Sequence, residues 1–317
     1  DQEDEDEEAE EDGESPDSSF AVTPAYPFPA EFELEVLSSA IRVCEHLGGE
    51  HPHGTKGIVV FFPGVHGGVG PCRAPGSNYD DDALFPTVAR RLAGDGGRRG
   101  DLPVADCYRC SWPYMRPRLE YAVSAACRLL EFALFQVLHS DGGADAVAAK
   151  EDKTRERQRE LRIVFVGHSL GGAVALHAAQ AVARRFGTDS YCGKALDGSP
   201  EILIRFAGVC TLNGALDVER MQAAEDAPPF EALSGSRGLF VCGDEDQVVD
   251  PEYSKKMHEV LPMRAKRYLS LSGGTHDLFA HKAQLIEELC GFIAECVRGP
   301  VSSESSPPAP LPSAEAA

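Results

Sequence analysis

The sequence predicts an α/β fold: a mostly parallel sheet with helices on both faces, in one domain. Short apolar runs recur at Ile58–Phe62, Val104–Tyr108, Leu161–Val166, Arg205–Leu212, Leu239–Cys242 and Arg267–Leu271, the pattern of strands covered on both faces. Helical patterns lie between them, at Leu84–Ala93, Pro117–His139, Leu170–Phe186, Pro251–Leu261 and Phe279–Val297. The length of 317 residues, with 43% hydrophobic and 26% charged residues, suits one large soluble domain.

Taken in order, residues 1–30 read as a disordered acidic and Pro-rich tail. Asp1–Glu14 holds eleven acids and no base, too little apolar surface to offset chain entropy. The folded domain is expected over residues 31–298, followed by a second disordered tail over 299–317. Phe32–Leu37 and Ile41–Glu45 alternate apolar with polar residues, as two half-exposed strands do, and an antiparallel pair is expected. Lys150–Glu160 mixes charge signs without an apolar stripe and reads as a solvated helix end leading into the next strand. The longest stretch available as a cap is Gly214–Gly238, with Gly187–Pro200 second.

The net charge of -21 belongs mostly to the tails, and the body has no basic stripe, so nucleic-acid binding is not expected. No run approaches about 18 apolar residues, so no transmembrane segment is expected. The N-terminus lacks the regions of a secretory signal, and a targeting segment upstream of Asp1 stays open. Of the ten cysteines, Cys210 and Cys242 sit singly inside apolar runs, as reduced buried thiols do; a reducing, cytoplasmic location is the expectation.

Chemistry concentrates at three places. Leu161–Val166 runs into Gly167-His168-Ser169-Leu170-Gly171-Gly172, and an Ala-rich helix follows. Strand, sharp turn and helix with G-x-S-x-G at the bend lift a serine hydroxyl beside a helix N-terminus. A serine is a weak nucleophile and needs a base that a carboxylate orients. Acids follow the strand at Leu239–Cys242, in Gly243-Asp244-Glu245-Asp246-Gln247-Val248-Val249. A histidine follows the strand ending at Leu271, in Ser272-Gly273-Gly274-Thr275-His276-Asp277. Both stand at C-terminal strand ends, where open parallel sheets collect their sites.

With these surroundings, Ser169, Asp246 and His276 resemble the nucleophile, acid and base of the α/β-hydrolase superfamily, and the likeness in element order covers nearly all of residues 31–298. It implies a mostly parallel eight-stranded sheet with a small cap or none. It selects Asp246 over Asp244, Glu245 and Asp250, because the family's acid commonly stands in a G-x-x-D-x-V-V-like segment; Asp217 is the alternative. Among other histidines, His168 adjoins Ser169 with its side chain expected to turn away, while His177, His258 and His281 read as surface or packing residues on helices. The oxyanion hole would take the N–H of Leu170 and a second donor from Pro63-Gly64-Val65-His66-Gly67-Gly68. Alignment to relatives with His-Gly there gives Val65; Pro63 replaces the His, so Gly64 and His66 stay open. The long continuation through Pro75–Asp82 is a pocket wall or a solvated loop.

Other motifs carry less. Cys107-Tyr108-Arg109-Cys110 lies on an expected strand without a partner pair of zinc spacing, and His51-Pro52-His53 is an isolated loop pair. The resemblance implies no cofactor or metal. It implies a serine hydrolase that cleaves a carboxylic ester or thioester, its partner a small-molecule or lipid-like acyl ester. Lipase behaviour is not favoured, because no large apolar lid is evident. The same scaffold and triad also serve acyltransferases and other non-hydrolytic enzymes, and a non-catalytic binding protein is the alternative from a different class. Oligomeric state is not legible.

Overall fold

A computed structural model describes residues 42–47, 57–65, 70–72, 83–92, 105–111, 119–140, 159–186, 191–193, 202–216 and 230–298. Both expected tails, Phe32–Leu37, Lys150–Gln158 and the loop continuation Pro75–Asp82 lie outside them. Eight strands form one sheet: β1 (Arg42–Leu47), β2 (Gly57–Phe62), β3 (Asp106–Ser111), β4 (Arg159–His168), β5 (Tyr191–Gly193), β6 (Ile202–Leu212), β7 (Arg237–Gly243) and β8 (Ala265–Leu271). Their order is β1-β3-β2-β4-β6-β7-β8, with β5 pairing β6. β1 runs antiparallel to β3 and β5 antiparallel to β6, and every other pairing is parallel.

Among the described residues five α-helices connect the strands: α1 (Leu84–Leu92), α2 (Leu119–Ser140), α3 (Leu170–Phe186), α4 (Pro251–Val260) and α5 (Lys282–Arg298). β2 shows why its sequence is apolar throughout. Ile58, Val60 and Phe62 enter the cluster under α2, α3 and α4, while Val59 and Phe61 enter the one under α1 and α5. With both faces covered, alternation disappears. Phe165 centres the first cluster, with ring centroids 5.4 Å from both Phe62 and Phe206.

Three sequence expectations need correction. Within Gly187–Pro200, considered as a cap, Tyr191–Gly193 forms β5. β6 is 11 residues long and pairs β7 only from Gly208 onward, so β5 supplies the hydrogen-bond partner for Ile202–Ile204. β5 is thus a strand of the sheet that the sequence reading did not include. Arg159 and Glu160 open β4 rather than closing a helix. There Glu160 lies between Arg162, at 2.8 Å, and Arg205, at 3.1 Å. Finally, Arg267–Leu271 is not covered on both faces. It belongs to the edge strand β8, in which Leu271 alone is buried, and the exposed cation Arg267 suits an edge that must not recruit another strand.

Candidate active site

β4, β6, β7 and β8 are adjacent and parallel, so their C-terminal ends deliver Ser169, Asn213, the acid segment and the histidine segment to one edge of the sheet. Ser169 follows β4 directly and holds φ at +55°, in the left-handed region. A non-glycine residue stays there only when its surroundings fix it. The Ser169 N–H donates to Leu212 O at 2.9 Å, and Ser169 O accepts from Gly172 N at 2.9 Å and Ala215 N at 3.0 Å. Gly171 lets the chain pass: a Cβ there would lie 2.2 Å from Phe62 O and 2.4 Å from Pro63 O. That contact draws the Pro63–Val65 turn against the serine. A Cβ built on Gly64 would stand 3.3 Å from Ser169 Cβ.

The four acids after β7 occupy different environments. Asp246 Oδ2 lies 2.8 Å from His276 Nδ1, and its Oδ1 accepts from Val248 N at 2.8 Å and Val249 N at 3.0 Å. The carboxylate is fully buried, whereas the imidazole is 23% exposed. Asp244 Oδ1 accepts from Gly273 N at 2.6 Å, Asp250 caps α4 through Glu252 N at 3.0 Å, and Glu245 is exposed. The structure thus brings His276 to Asp246 among these four. Asp217 lies outside the described residues.

Leu170 opens α3, where the first N–H groups of a helix lack intrahelical acceptors. Val65 is half-buried on the turn after β2, next to Gly64; His66 lies outside the described residues. Of the loop beyond, Cys72 docks on the histidine segment: its N–H donates to Asp277 O at 2.8 Å and its Sγ–H to Leu278 O at 3.2 Å. Burial pushes the Cys72 thiol up to about 12, with Asp277 adding to the rise.

His168 does not turn away. Its ring centroid is 4.8 Å from that of His276, its Nε2 is 2.9 Å from His276 O, and its Nδ1 would be 3.3 Å from a Cβ on Gly64. Ser169 holds φ at +55°, so the chain turns directly after His168, the last residue of β4. Asn213 is the residue that sequence reasoning missed. Its signal was an Asn-Gly pair directly after a strand, a common left-handed turn.

Among the other motifs, Cys107 is buried on β3, and no group of three or more His, Cys, Asp or Glu able to hold a metal occurs among the described residues. His51 and His53 lie outside them. His177 is half-buried on α3 and His281 half-buried beside α5. His258 on α4 packs with its ring centroid 5.9 Å from that of Tyr268. Cys210 and Cys242 are buried free thiols. No described helix is long and apolar enough to cross a membrane.

A family model, class 3 lipase, matches residues 134–207, which include β4, Ser169 and α3 but neither Asp246 nor His276. Among solved structures, Est1E from Butyrivibrio proteoclasticus is 13% identical, covering 82% of this chain and 100% of that one, with a TM-score of 0.46. A protein of unknown function from Agrobacterium tumefaciens is 13% identical over 81% of this chain and 94% of that one, with a TM-score of 0.47. An α/β serine hydrolase without a lid from Xanthomonas campestris is 13% identical over 81% and 86%, with a TM-score of 0.42. At these values the likenesses add no argument beyond the strand order and the strand–turn–helix at Ser169.

Proposed function

We propose that this chain, which has the α/β-hydrolase fold, is a serine hydrolase of carboxylic esters or thioesters working through an acyl-enzyme. One observation carries the reading: His276 Nδ1 stands 2.8 Å from the fully buried carboxylate of Asp246, at the same sheet edge as the strained Ser169. With Nδ1–H donated to Asp246, the His276 tautomer leaves Nε2 unprotonated and able to take a proton.

In the proposed reaction His276 Nε2 accepts the Ser169 hydroxyl proton as Oγ attacks the acyl carbonyl. Asp246 keeps the ring oriented and stabilises the imidazolium. The two N–H donors to Asp246 Oδ1 hold that carboxylate in place. Negative charge on the carbonyl oxygen meets the N–H of Leu170 and a donor of the Pro63–Val65 turn, Val65 in our assignment. The imidazolium then gives its proton to the departing alkoxide or thiolate. Water, deprotonated by His276, attacks the acyl-enzyme carbonyl; the Oγ–acyl bond breaks, the acid leaves and His276 returns the proton to Ser169 Oγ.

The class 3 lipase match keeps lipid esters among the substrates to be tried. A p-nitrophenyl ester series from C2 to C16 decides between short and long acyl groups. The test of the reading itself is a fluorophosphonate probe on the folded chain. Covalent modification is expected at Ser169, and an unmodified Ser169 removes the proposal. Turnover that needs an added alcohol or thiol acceptor instead of water makes the protein an acyltransferase.

A further inference from the structure

Two buried polar side chains converge on one main-chain atom of the proposed base. Asn213, one residue past β6, is 1% exposed and holds φ at +46°, a conformation that Asn tolerates better than most residues. Its Oδ1 accepts from Gly243 N at 2.9 Å, while its Nδ2 donates to His276 O at 2.9 Å and to Thr275 O at 3.2 Å. This fixes the amide orientation, since the flipped form would set an oxygen against two carbonyls and an NH2 against an N–H. His168, 7% exposed, brings Nε2 to 2.9 Å from the same His276 oxygen. A carbonyl only accepts, so His168 carries its proton on Nε2 in this contact. The two donors come from neighbouring strands, where His168 is the register partner of Leu212, the residue before Asn213.

From this convergence we propose that Asn213 and His168 are positioning residues for His276: they hold its backbone by the carbonyl so that the imidazole is presented to Ser169. The inference rests on the serine hydrolase reading above. His276 is anchored at two points, its ring by Asp246 and its backbone by this pair of donors. Asn213 also ties the start of the acid segment, through Gly243 N, to the histidine segment. One side chain therefore sets the spacing between the loops that carry acid and base. His168 adds the strand of Ser169 to the same anchor. Were the carbonyl released, the ring would pivot about its bond to Asp246, and a misplacement of about 1 Å costs about 100-fold in rate.

The test uses all 317 residues of the chain with p-nitrophenyl acetate and the fluorophosphonate probe, reading kcat and KM separately, the pH profile of kcat/KM, and thermal melting. His168→Leu removes one donor, His168→Gln keeps an amide N–H within reach, and Asn213→Asp replaces the donating NH2 by an oxygen of the same shape. His168→Leu and Asn213→Asp are expected to lower kcat by about 10- to 100-fold with KM nearly unchanged, to displace the acidic limb of the profile, and to slow Ser169 labelling in proportion. His168→Gln is expected to recover most of the loss. Wild-type kcat and pH profile in His168→Leu overturn the proposal, and so does a His168→Gln variant as impaired as His168→Leu. If Asn213→Asp fails to melt cooperatively, the two His168 variants decide. Absence of labelling in the wild-type chain is a different failure, that of the hydrolase reading.

Discussion

Gly243 and Gly274 meet backbone to backbone: a Cβ built on Gly243 would lie 2.1 Å from the Gly274 carbonyl oxygen. Around this contact Asp244 N donates to Leu271 O at 3.1 Å and Glu245 N to Gly274 O at 3.0 Å. The acid and histidine segments are thus laced together before either side chain is counted. Gly243→Ala must drive them apart, because backbone on the far side cannot yield as a flexible side chain can. We expect a stability loss of about 1–3 kcal/mol and a fall in kcat/KM of about 100-fold. Calorimetry and ester turnover read the two effects, and a variant with wild-type values in both refutes the contact.

Asp246→Asn keeps the shape of the side chain and removes its charge. An Asn at 246 can still accept from the N–H groups of Val248 and Val249 through Oδ1, so folding should change little. Its amide NH2 would then face His276 Nδ1, which forces the proton onto Nε2 and leaves Ser169 without a base. In a Ser-His-Asp enzyme this exchange costs about 10⁴-fold in kcat, and we expect a loss of that order. Asp250→Asn is the matched control: Asn caps a helix about as well as Asp, and residue 250 faces α4. Turnover near wild type in Asp246→Asn would reassign the acid, with Asp217 next in line.

How far the sequence could be read depended on whether an element's environment is local. Ile58–Phe62 announces a strand covered on both faces because each residue must be apolar, and Ser169 announces itself because strand, bend and helix are contiguous. Asp246 needed the family pattern to separate it from Asp244, Glu245 and Asp250, since the spacing of four acids in seven residues does not say which one a distant histidine will meet. The exposure of β8 was hidden for a related reason. Its apolar residues suit a buried strand, and only its place last in the sheet order leaves it at an edge. Asn213 and His168 act through the carbonyl of a residue more than 60 positions away, a contact that no periodicity encodes.

Arg91 on α1 and Glu287 on α5 form a two-pronged ion pair across the helix layer, with side chains 40% and 69% exposed. Solvent screens such a pair, so Glu287→Ala should cost no more than about 1 kcal/mol, and less in high salt. Phe165→Ala should cost about 3–5 kcal/mol, because the ring is fully buried between Phe62 and Phe206 and leaves a cavity. Urea titration of the two variants should separate them clearly. Equal losses would overturn the prediction that the Phe165 cluster contributes more to stability than the Arg91–Glu287 pair.

The buried thiols of Cys72, Cys210 and Cys296 and the half-buried thiol of Cys290 make stability sensitive to alkaline pH. Desolvation pushes the Cys72 and Cys296 thiols from 9.0 up to about 12 and that of Cys290 to about 11, and burial drives Cys210 upward too. A thiol whose pKa is raised by folding favours the neutral native form, so its contribution to stability is complete below about pH 9 and declines as pH rises toward 11 and 12. Two results should follow. At pH 7.5 the thiols hold no appreciable thiolate, so iodoacetamide should leave Cys72, Cys210, Cys290 and Cys296 unmodified in the folded chain and ester turnover intact, while the same treatment in denaturant alkylates all four. Between pH 9 and pH 11 the melting temperature should fall. Peptide mapping by mass spectrometry reads the first and a pH series of melts the second. Alkylation of Cys72 at pH 7.5 in the folded chain, with turnover lost in step, would show that its contact with the His276 segment is open to solvent.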